Sequence, residues 1–380
     1  MIHISTLAIA FLLSTDGGTV CADTEPFCIL EEPVDQGLLE ERLDGLDEAY
    51  WVDGNTITVA ARRETGGVFF CCAIQAPMRQ SQDSDYWYLS VTIPRLEEAF
   101  IDIIPIPFDG PNRLTQFLPL EYRGDHAIAP VSRAPVADGT IEVRTMESVA
   151  LGVTRRVTVY VPPELNEGTN RPIVYLADGQ GTIAYAQIVR SLIDNCRIEP
   201  VMLAGLWHGE VENGTTPQQT SEQRSRDYLW GFEGNIFVEH ENFFLNEVMP
   251  LVETEFLASD VPTRRSLFGK SSGAAWALST ALRNPTEFGA IGAVSAVWSQ
   301  SLNAAEPQSG PHYYLSVGLF EDRAPSLLTN IVERFADAGV GFSERTYVSG
   351  HSPLVFDQAF SEMLLAEFPL ASDNACINAN

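Results

Sequence analysis

Between the apolar pair Leu267-Phe268 and the helix-forming run Ala274-Ala275-Trp276-Ala277-Leu278 lies the segment Gly269-Lys270-Ser271-Ser272-Gly273. A strand that becomes a helix within five residues must turn sharply, and the residue at its apex takes a strained backbone conformation. Side chains two positions to either side would collide, which accounts for both glycines. The turn presents the hydroxyl of Ser271 to a cleft. It also leaves the N–H of Ser272 at a helix start, where the helix dipole favours a developing anion. Position within the segment excludes Ser272 as the apex. The bland alternative is a glycine turn whose serine caps the helix.

Such a turn needs a sheet, and the chain supplies one from Thr140 onward. Strand patterns fall at Arg156 to Val161, Ile173 to Ala177, Val201 to Leu206, Ser266 to Phe268, Ile291 to Val297, Tyr313 to Val317 and Ser343 to Val348. Apolar residues at helical spacing lie between them, at Phe243, Phe244, Val248, Leu251, Val252 and Phe256, and again at Leu327, Leu328, Ile331, Val332 and Phe335. That alternation predicts an α/β domain over 140–380, a mostly parallel sheet flanked by helices. Residues 23–117 show short apolar segments broken by polar turns, as in Val68 to Ile74 and Tyr86 to Ile93, and predict an all-β, immunoglobulin-like sandwich. The proline-bearing stretch 118–139 is the expected linker.

A serine hydroxyl is a poor nucleophile at neutral pH and needs a base, which in this strand-turn-helix architecture follows it in the order serine, acid, histidine. Two histidines follow Ser271. His312 opens a predicted strand, at the wrong end of the sheet. His351, in Val348-Ser349-Gly350-His351-Ser352-Pro353, lies on a loop just beyond one. The acid belongs after the preceding strand, where Glu321 and Asp322 are adjacent; Glu321 is favoured, with Asp322 the alternative, or a partner of Arg323. A second oxyanion donor is expected from Asp178-Gly179-Gln180-Gly181, after Ile173 to Ala177, and spacing does not choose between the N–H groups of Gly179 and Gln180. Of 23 basic residues a single one is lysine, Lys270, beside the nucleophile. A local ion pair is its expected role, because an elbow turns its neighbours away from the cleft.

The net charge of -28, from 51 acidic and 23 basic residues, argues against a surface for nucleic acid or anionic membrane. Residues 1–22, with the apolar run Leu7 to Leu13 and the small-residue site Val20-Cys21-Ala22, read as a signal peptide, and hence a secreted or periplasmic protein. Beyond it no apolar stretch is long enough to insert in a membrane. Cleavage leaves Cys28, Cys71, Cys72, Cys196 and Cys376, enough for two disulfides of undetermined connectivity and one thiol. The cysteine spacings fit no zinc pattern, and the expected chemistry needs no metal and no cofactor.

The segments Val159-Tyr160-Val161-Pro162-Pro163, Tyr175-Leu176-Ala177-Asp178-Gly179, Arg224-Ser225-Arg226-Asp227-Tyr228, Gly318-Leu319-Phe320-Glu321 and Gly350-His351, with the elbow at Ser271, resemble one esterase family. It is the α/β-hydrolase family typified by esterase D, feruloyl esterases, mycolyltransferases and ferric enterobactin esterases. The enterobactin enzymes look most similar, since they too carry an N-terminal β-sandwich with a Trp-rich strand, like Asp85 to Leu89 here. The resemblance implies a serine esterase acting on a small-molecule or glycan ester: a siderophore trilactone, a feruloyl or acetyl carbohydrate ester, or a small acyl ester. An acyltransferase would use the same residues, and an inactive binding protein is the alternative of another class. The resemblance also makes Arg224 or Arg226 a candidate substrate group, against salt bridges to Asp227 or Glu222.

Overall fold

The computed structural model describes residues 25–82, 84–108, 120–165, 170–209, 217–296 and 299–370, without the side chains of Pro217, Gln218, Ser299 and Leu302. The leader read over 1–22 and Cys376 lie outside these residues. The chain gathers into two compact units, one holding residues up to Phe70 with Ala76–Leu96 and Pro105–Phe117, the other holding Cys71–Gln75, Glu97–Ile104 and Leu118–Asn380.

In the first unit Cys28–Ile29, Tyr86–Thr92, Thr56–Arg62 and Glu48–Asp53 pair antiparallel in that order. Arg79–Gln80 pairs antiparallel with Trp87 and Tyr88. The helix Gln36–Arg42, too short to show a helical periodicity, starts at Asp35, whose carboxylate accepts the Leu38 N–H at 3.1 Å. It buries Leu39 and Leu43 against Ala60 and Tyr88.

The second unit is built on eight strands: β1 Thr140–Glu147, β2 Thr154–Val161, β3 Ile173–Ala177, β4 Met202–Leu206, β5 Arg265–Lys270, β6 Ala290–Val294, β7 His312–Gly318 and β8 Phe342–Tyr347. Their order is β1-β2-β4-β3-β5-β6-β7-β8. Strands β3 to β8 run parallel, and β2 is antiparallel to both its neighbours. Helices cover the sheet, as expected for an α/β-hydrolase, and the central strands β3, β4 and β6 are buried at every position. β1 is an additional edge strand. β6 ends at Val294, short of the predicted Val297, because Ser295 turns to φ 56° and sends its N–H to the carbonyl of Ser316. The segment read as a linker contains Leu120–Arg123, paired with Phe100 to Ile103. No described helix is long and apolar enough to cross a membrane.

The region from Ile236 to Glu255 is one helical run with a π-helical turn at Phe244–Val248. It carries His240 into the core between Tyr228, Phe243 and Trp276, at ring-centroid distances of 5.4, 6.1 and 6.3 Å. Among the described residues both ring nitrogens lack partners, and burial pushes the imidazole down to about 4, against a weaker opposing pull from Asp227. The unfolded chain binds this proton near pH 6.5 and the folded one only near 4, so stability present above pH 6.5 is lost as the pH falls, by roughly 3 kcal/mol at the acid end. In His240→Leu the slope of Tm between pH 7 and 4.5 flattens relative to the parent. An unchanged slope would refute this origin.

Candidate active site

The carboxyl ends of β3 to β8 lie along one edge of the sheet, where open α/β sheets bind ligands. Five of these ends carry the candidate site residues.

β5 delivers the elbow. Ser271 sits at φ 55°, ψ -124°, a left-handed position that costs on the order of 1–3 kcal/mol for a residue with a side chain. Its N–H donates to Val294 at 2.9 Å and its carbonyl accepts from Ala274 and Ala275, so both β6 and the helix Ser272–Arg283 hold the strain in place. The hydroxyl makes no capping hydrogen bond, which removes the helix-cap reading of the motif. A Cβ on Gly269 would lie 2.0 Å from the Gly273 carbonyl oxygen, and one on Gly273 would lie 2.7 Å from the Ala177 Cβ. The glycines let the helix start close over its own strand and against β3. Ser272 is the first residue of that helix, so its N–H has no acceptor within it.

β3 runs into Asp178, at φ 59°, and the turn Gly179–Gly181. Gly179 is irreplaceable on steric grounds: a Cβ there would meet the Gly205 carbonyl oxygen at 2.2 Å and Trp207 Cδ1 at 2.5 Å. The turn is fastened by the helix Pro217–Tyr228. Arg224 Nε and Nη2 donate to the two Asp178 carboxylate oxygens at 2.7 and 2.8 Å, and Nη2 also donates to the Lys270 carbonyl at 3.1 Å. Tyr228 Oη accepts the Asp178 N–H at 2.8 Å and donates to Leu206 at 3.2 Å. Burial opposes ionisation of Asp178, but the Arg224 guanidinium outweighs it and holds the carboxyl below its ordinary range. The same balance, burial against Asp178, leaves Arg224 above its ordinary value. Arg224, a candidate substrate group by resemblance, gives its Nε and Nη2 to the loop and the elbow. Arg226 pairs with Glu233 at 2.7 Å, and neither arginine takes the partners considered, Asp227 or Glu222.

β7 and β8 bring the acid and the histidine together. Glu321 is 4% exposed; its Oε1 accepts the Ser295 hydroxyl at 2.6 Å and the Gly318 N–H at 2.8 Å, and its Oε2 lies 2.8 Å from His351 Nδ1. Asp322 is 93% exposed beside Arg323. With Nδ1–H donated to the carboxylate, the neutral imidazole has Nε2 as its acceptor nitrogen. The histidine loop is seated closely, since a Cβ on Gly318 would lie 2.5 Å from the Gly350 carbonyl oxygen. Among the described residues no hydrogen bond joins Ser271 Oγ to His351, a contact that in unliganded sites often closes only when substrate is bound.

Lys270 corrects an expectation. Among the described residues it forms no ion pair; its Nζ stands 5.3 Å from the centre of the Phe356 ring, a cation–π contact. The edge-on neighbour of the same ring is His351, at 5.1 Å.

A family profile described as "Putative esterase" matches residues 148–366. The chain belongs to this esterase family. The uncharacterized protein YbbA of Bacillus subtilis is 26% identical over 155 residues, 40% of the esterase and 60% of that relative. The enterobactin esterase FES of Shigella flexneri, solved in the presence of enterobactin, superposes with TM-score 0.63 at 14% identity, over 86% of this esterase and 97% of that chain. The ferric enterobactin esterase of Salmonella typhimurium gives TM-score 0.60 at 14% identity, over 84% and 96%. At such identity the likeness establishes the fold, an α/β-hydrolase with a β-rich region before it.

Four site residues of the esterase escaped the sequence reading: Asp178 as a charge partner, Tyr228, Ser295 and Trp207. Arg224 and Tyr228 are four apart on one helix and therefore reach the same loop, a spacing that hints at joint work without naming the target. Ser295 carries no comparable local signal.

Proposed function

We propose that this esterase hydrolyses carboxylic esters through an acyl-enzyme on Ser271, with His351 as base and Glu321 as the acid that orients it. The observation that carries the reading is the 2.8 Å contact of His351 Nδ1 with a buried Glu321, on the sheet edge that also bears the strained Ser271 elbow. As Ser271 Oγ attacks the acyl carbon, its proton passes to His351 Nε2. The oxyanion accepts the N–H of Ser272 and that of Gly179 or Gln180. The imidazolium, steadied by Glu321, returns the proton to the leaving alcohol as the carbon–oxygen bond breaks. Water, deprotonated by His351, then frees the acid. The chemistry needs no cofactor.

The shared fold, β-rich N-terminal region included, makes a siderophore trilactone the first substrate to test, ahead of feruloyl or acetyl carbohydrate esters. Export to an oxidising compartment fits the cysteines: Cys71 is joined to Cys72, Cys28 and Cys196 are also disulfide-bonded, and no described cysteine is free. The earlier expectation of one unpaired thiol thus finds no candidate among the described residues.

A fluorophosphonate probe tests the nucleophile directly. The parent acquires one adduct, mapped to the peptide bearing Ser271, and Ser271→Ala acquires none. Labelling of the variant at the parent's rate overturns the proposal.

A further inference from the structure

β1 closes one end of the sheet, and its outer edge has no strand beyond it among the described residues. The register of the β1–β2 hairpin decides which backbone groups face that edge. The Ser148 N–H donates to the Val153 carbonyl at 3.0 Å, which makes Ser148 and Val153 a hydrogen-bonded pair, and such pairs recur at every second position of an antiparallel ladder. Glu142, Arg144 and Met146 therefore direct their N–H and C=O groups to β2. The far side of β2 agrees: the Trp207 N–H donates to the Arg156 carbonyl at 3.0 Å, so the even-numbered residues of β2 bond to β4 and the odd-numbered ones to β1. Ile141, Val143, Thr145 and Glu147 thus turn their backbone groups outward, where none of them meets a partner among the described residues. An edge of this kind is commonly blunted by a proline, a lysine or a bulge; β1 has none of these, and its eight residues pair with β2 without interruption.

The side chains of β1 select what can pair there. On one face Glu142 and Arg144, 39% and 42% exposed, stand two residues apart, and Arg144 Nη2 lies 2.9 Å from Glu142 and 3.3 Å from Glu255. On the opposite face, between them in sequence, Val143 is 51% exposed. An antiparallel second copy of β1, placed with Val143 across from its own counterpart, sets outward groups against outward groups, in the hydrogen-bonded pairs Ile141 with Thr145, Val143 with Val143 and Thr145 with Ile141. Glu142 of each copy then stands across from Arg144 of the other, in the non-hydrogen-bonded pairs where cross-strand side chains come closest. The four charges alternate in sign around the seam, with each arginine still beside the glutamate of its own strand. The remaining charge, Glu147, faces Gly139. A slip of two residues, the smallest that keeps the outward groups opposed, puts Glu142 against Glu142 or Arg144 against Arg144, so charge fixes the register. Each copy has a net charge of -28, but at 0.15 M salt exposed charges farther apart than about 8 Å are screened, whereas the opposed pairs at the seam lie within that distance.

We infer that β1 is a self-association edge, which a second copy of this chain extends antiparallel about a two-fold axis at Val143, joining the two eight-stranded sheets into one. Val143, half-exposed in a single copy, packs on its counterpart there, flanked by Ile141 and Thr145. The pairing does not depend on the hydrolase reading, and its test uses no turnover.

Sedimentation equilibrium of the full chain at about 0.15 M salt tests it. The parent associates to twice the chain mass in the micromolar range. Glu142→Arg and Arg144→Glu each set like charges across from one another twice at the seam, and each weakens the dimer by about tenfold or more. Mixed in equal amounts, the two variant proteins re-form a dimer of near-parental strength, because every opposed pair in the heterodimer is again of opposite sign. Val143→Pro removes an N–H that points away from β2, so it leaves the hairpin ladder intact, keeps Tm near the parent's and yields a monomer. A parent that is monomeric throughout the micromolar range, whether its edge stays bare or serves a different protein, overturns the inference. So does a dimer that Val143→Pro leaves at the parental strength, or a mixture of the two charge variants that associates no more tightly than either alone.

Discussion

Glu321→Gln lowers kcat on a simple aryl ester by roughly 10⁴-fold while the fold and Tm stay near those of the parent. The size of the loss follows from which oxygen is pinned. Oε1 accepts two donors, the Ser295 hydroxyl and the Gly318 N–H, so a glutamine places its carbonyl oxygen there. Its amide nitrogen then occupies the position of Oε2, facing His351 Nδ1. A donor facing Nδ1 forces the imidazole into the tautomer with the proton on Nε2, which cannot take a proton from Ser271. Geometry survives and chemistry does not. Asp322→Asn, one residue away and exposed to solvent, stays within about twofold, as surface changes do. Steady-state kinetics of the two variants side by side give the answer; a Glu321→Gln enzyme within tenfold of the parent, or a crippled Asp322→Asn enzyme, would falsify the assignment of the acid.

That pair also marks how far the sequence reached. The elbow was legible because two glycines flanking a serine, between a strand and a helix, are a steric requirement written in consecutive residues. The central strands were legible because β3, β4 and β6, buried on both faces, read as continuous apolar runs. β1 was not: Thr140–Glu147 is an edge strand with half its residues exposed, and its alternating Ile141, Val143 and Thr145 bury too little to stand out. Glu321 and Asp322 are neighbours in one turn, so one or two residues of backbone decide which meets His351, and local pattern carries no such precision. Lys270 was expected to form a local ion pair because an elbow turns its neighbours away from the cleft, whereas its Nζ stands over the Phe356 ring, a contact no local pattern announces. The partner of Arg224 lies 46 residues earlier, on a loop whose left-handed turn at Asp178 is set by the close approach of β4. Such a pairing belongs to the assembled sheet and to no segment of it.

The Arg224–Asp178 pair is where the largest combined effect on stability and turnover is expected. Arg224→Met keeps the length and apolar stem of the side chain and removes the guanidinium, which leaves the Asp178 carboxylate, 15% exposed, without its charge partner. Stranding a mostly buried charge costs roughly 3 kcal/mol, or a Tm lower by about 6–12 °C for a unit of this size. The same change removes the guanidinium tether of the Asp178 turn, leaving Tyr228 Oη as its hold on the helix Pro217–Tyr228, and takes the donor from the Lys270 carbonyl, so the N–H groups of Gly179 and Gln180 are less firmly positioned. A misplaced oxyanion donor costs about 10²–10³ in kcat with little change in KM, because the oxyanion exists only after attack. An arginine that bound substrate, the role suggested by family resemblance, behaves in the opposite way: its removal raises KM and leaves Tm nearly alone. The double variant Arg224→Met/Asp178→Asn separates charge from position. With no carboxylate left to strand, most of the lost stability returns, while kcat stays low because the turn still lacks its arginine tether. If instead Arg224→Met raises KM alone and melts with the parent, the guanidinium acts on the ligand and the loop is held by Tyr228.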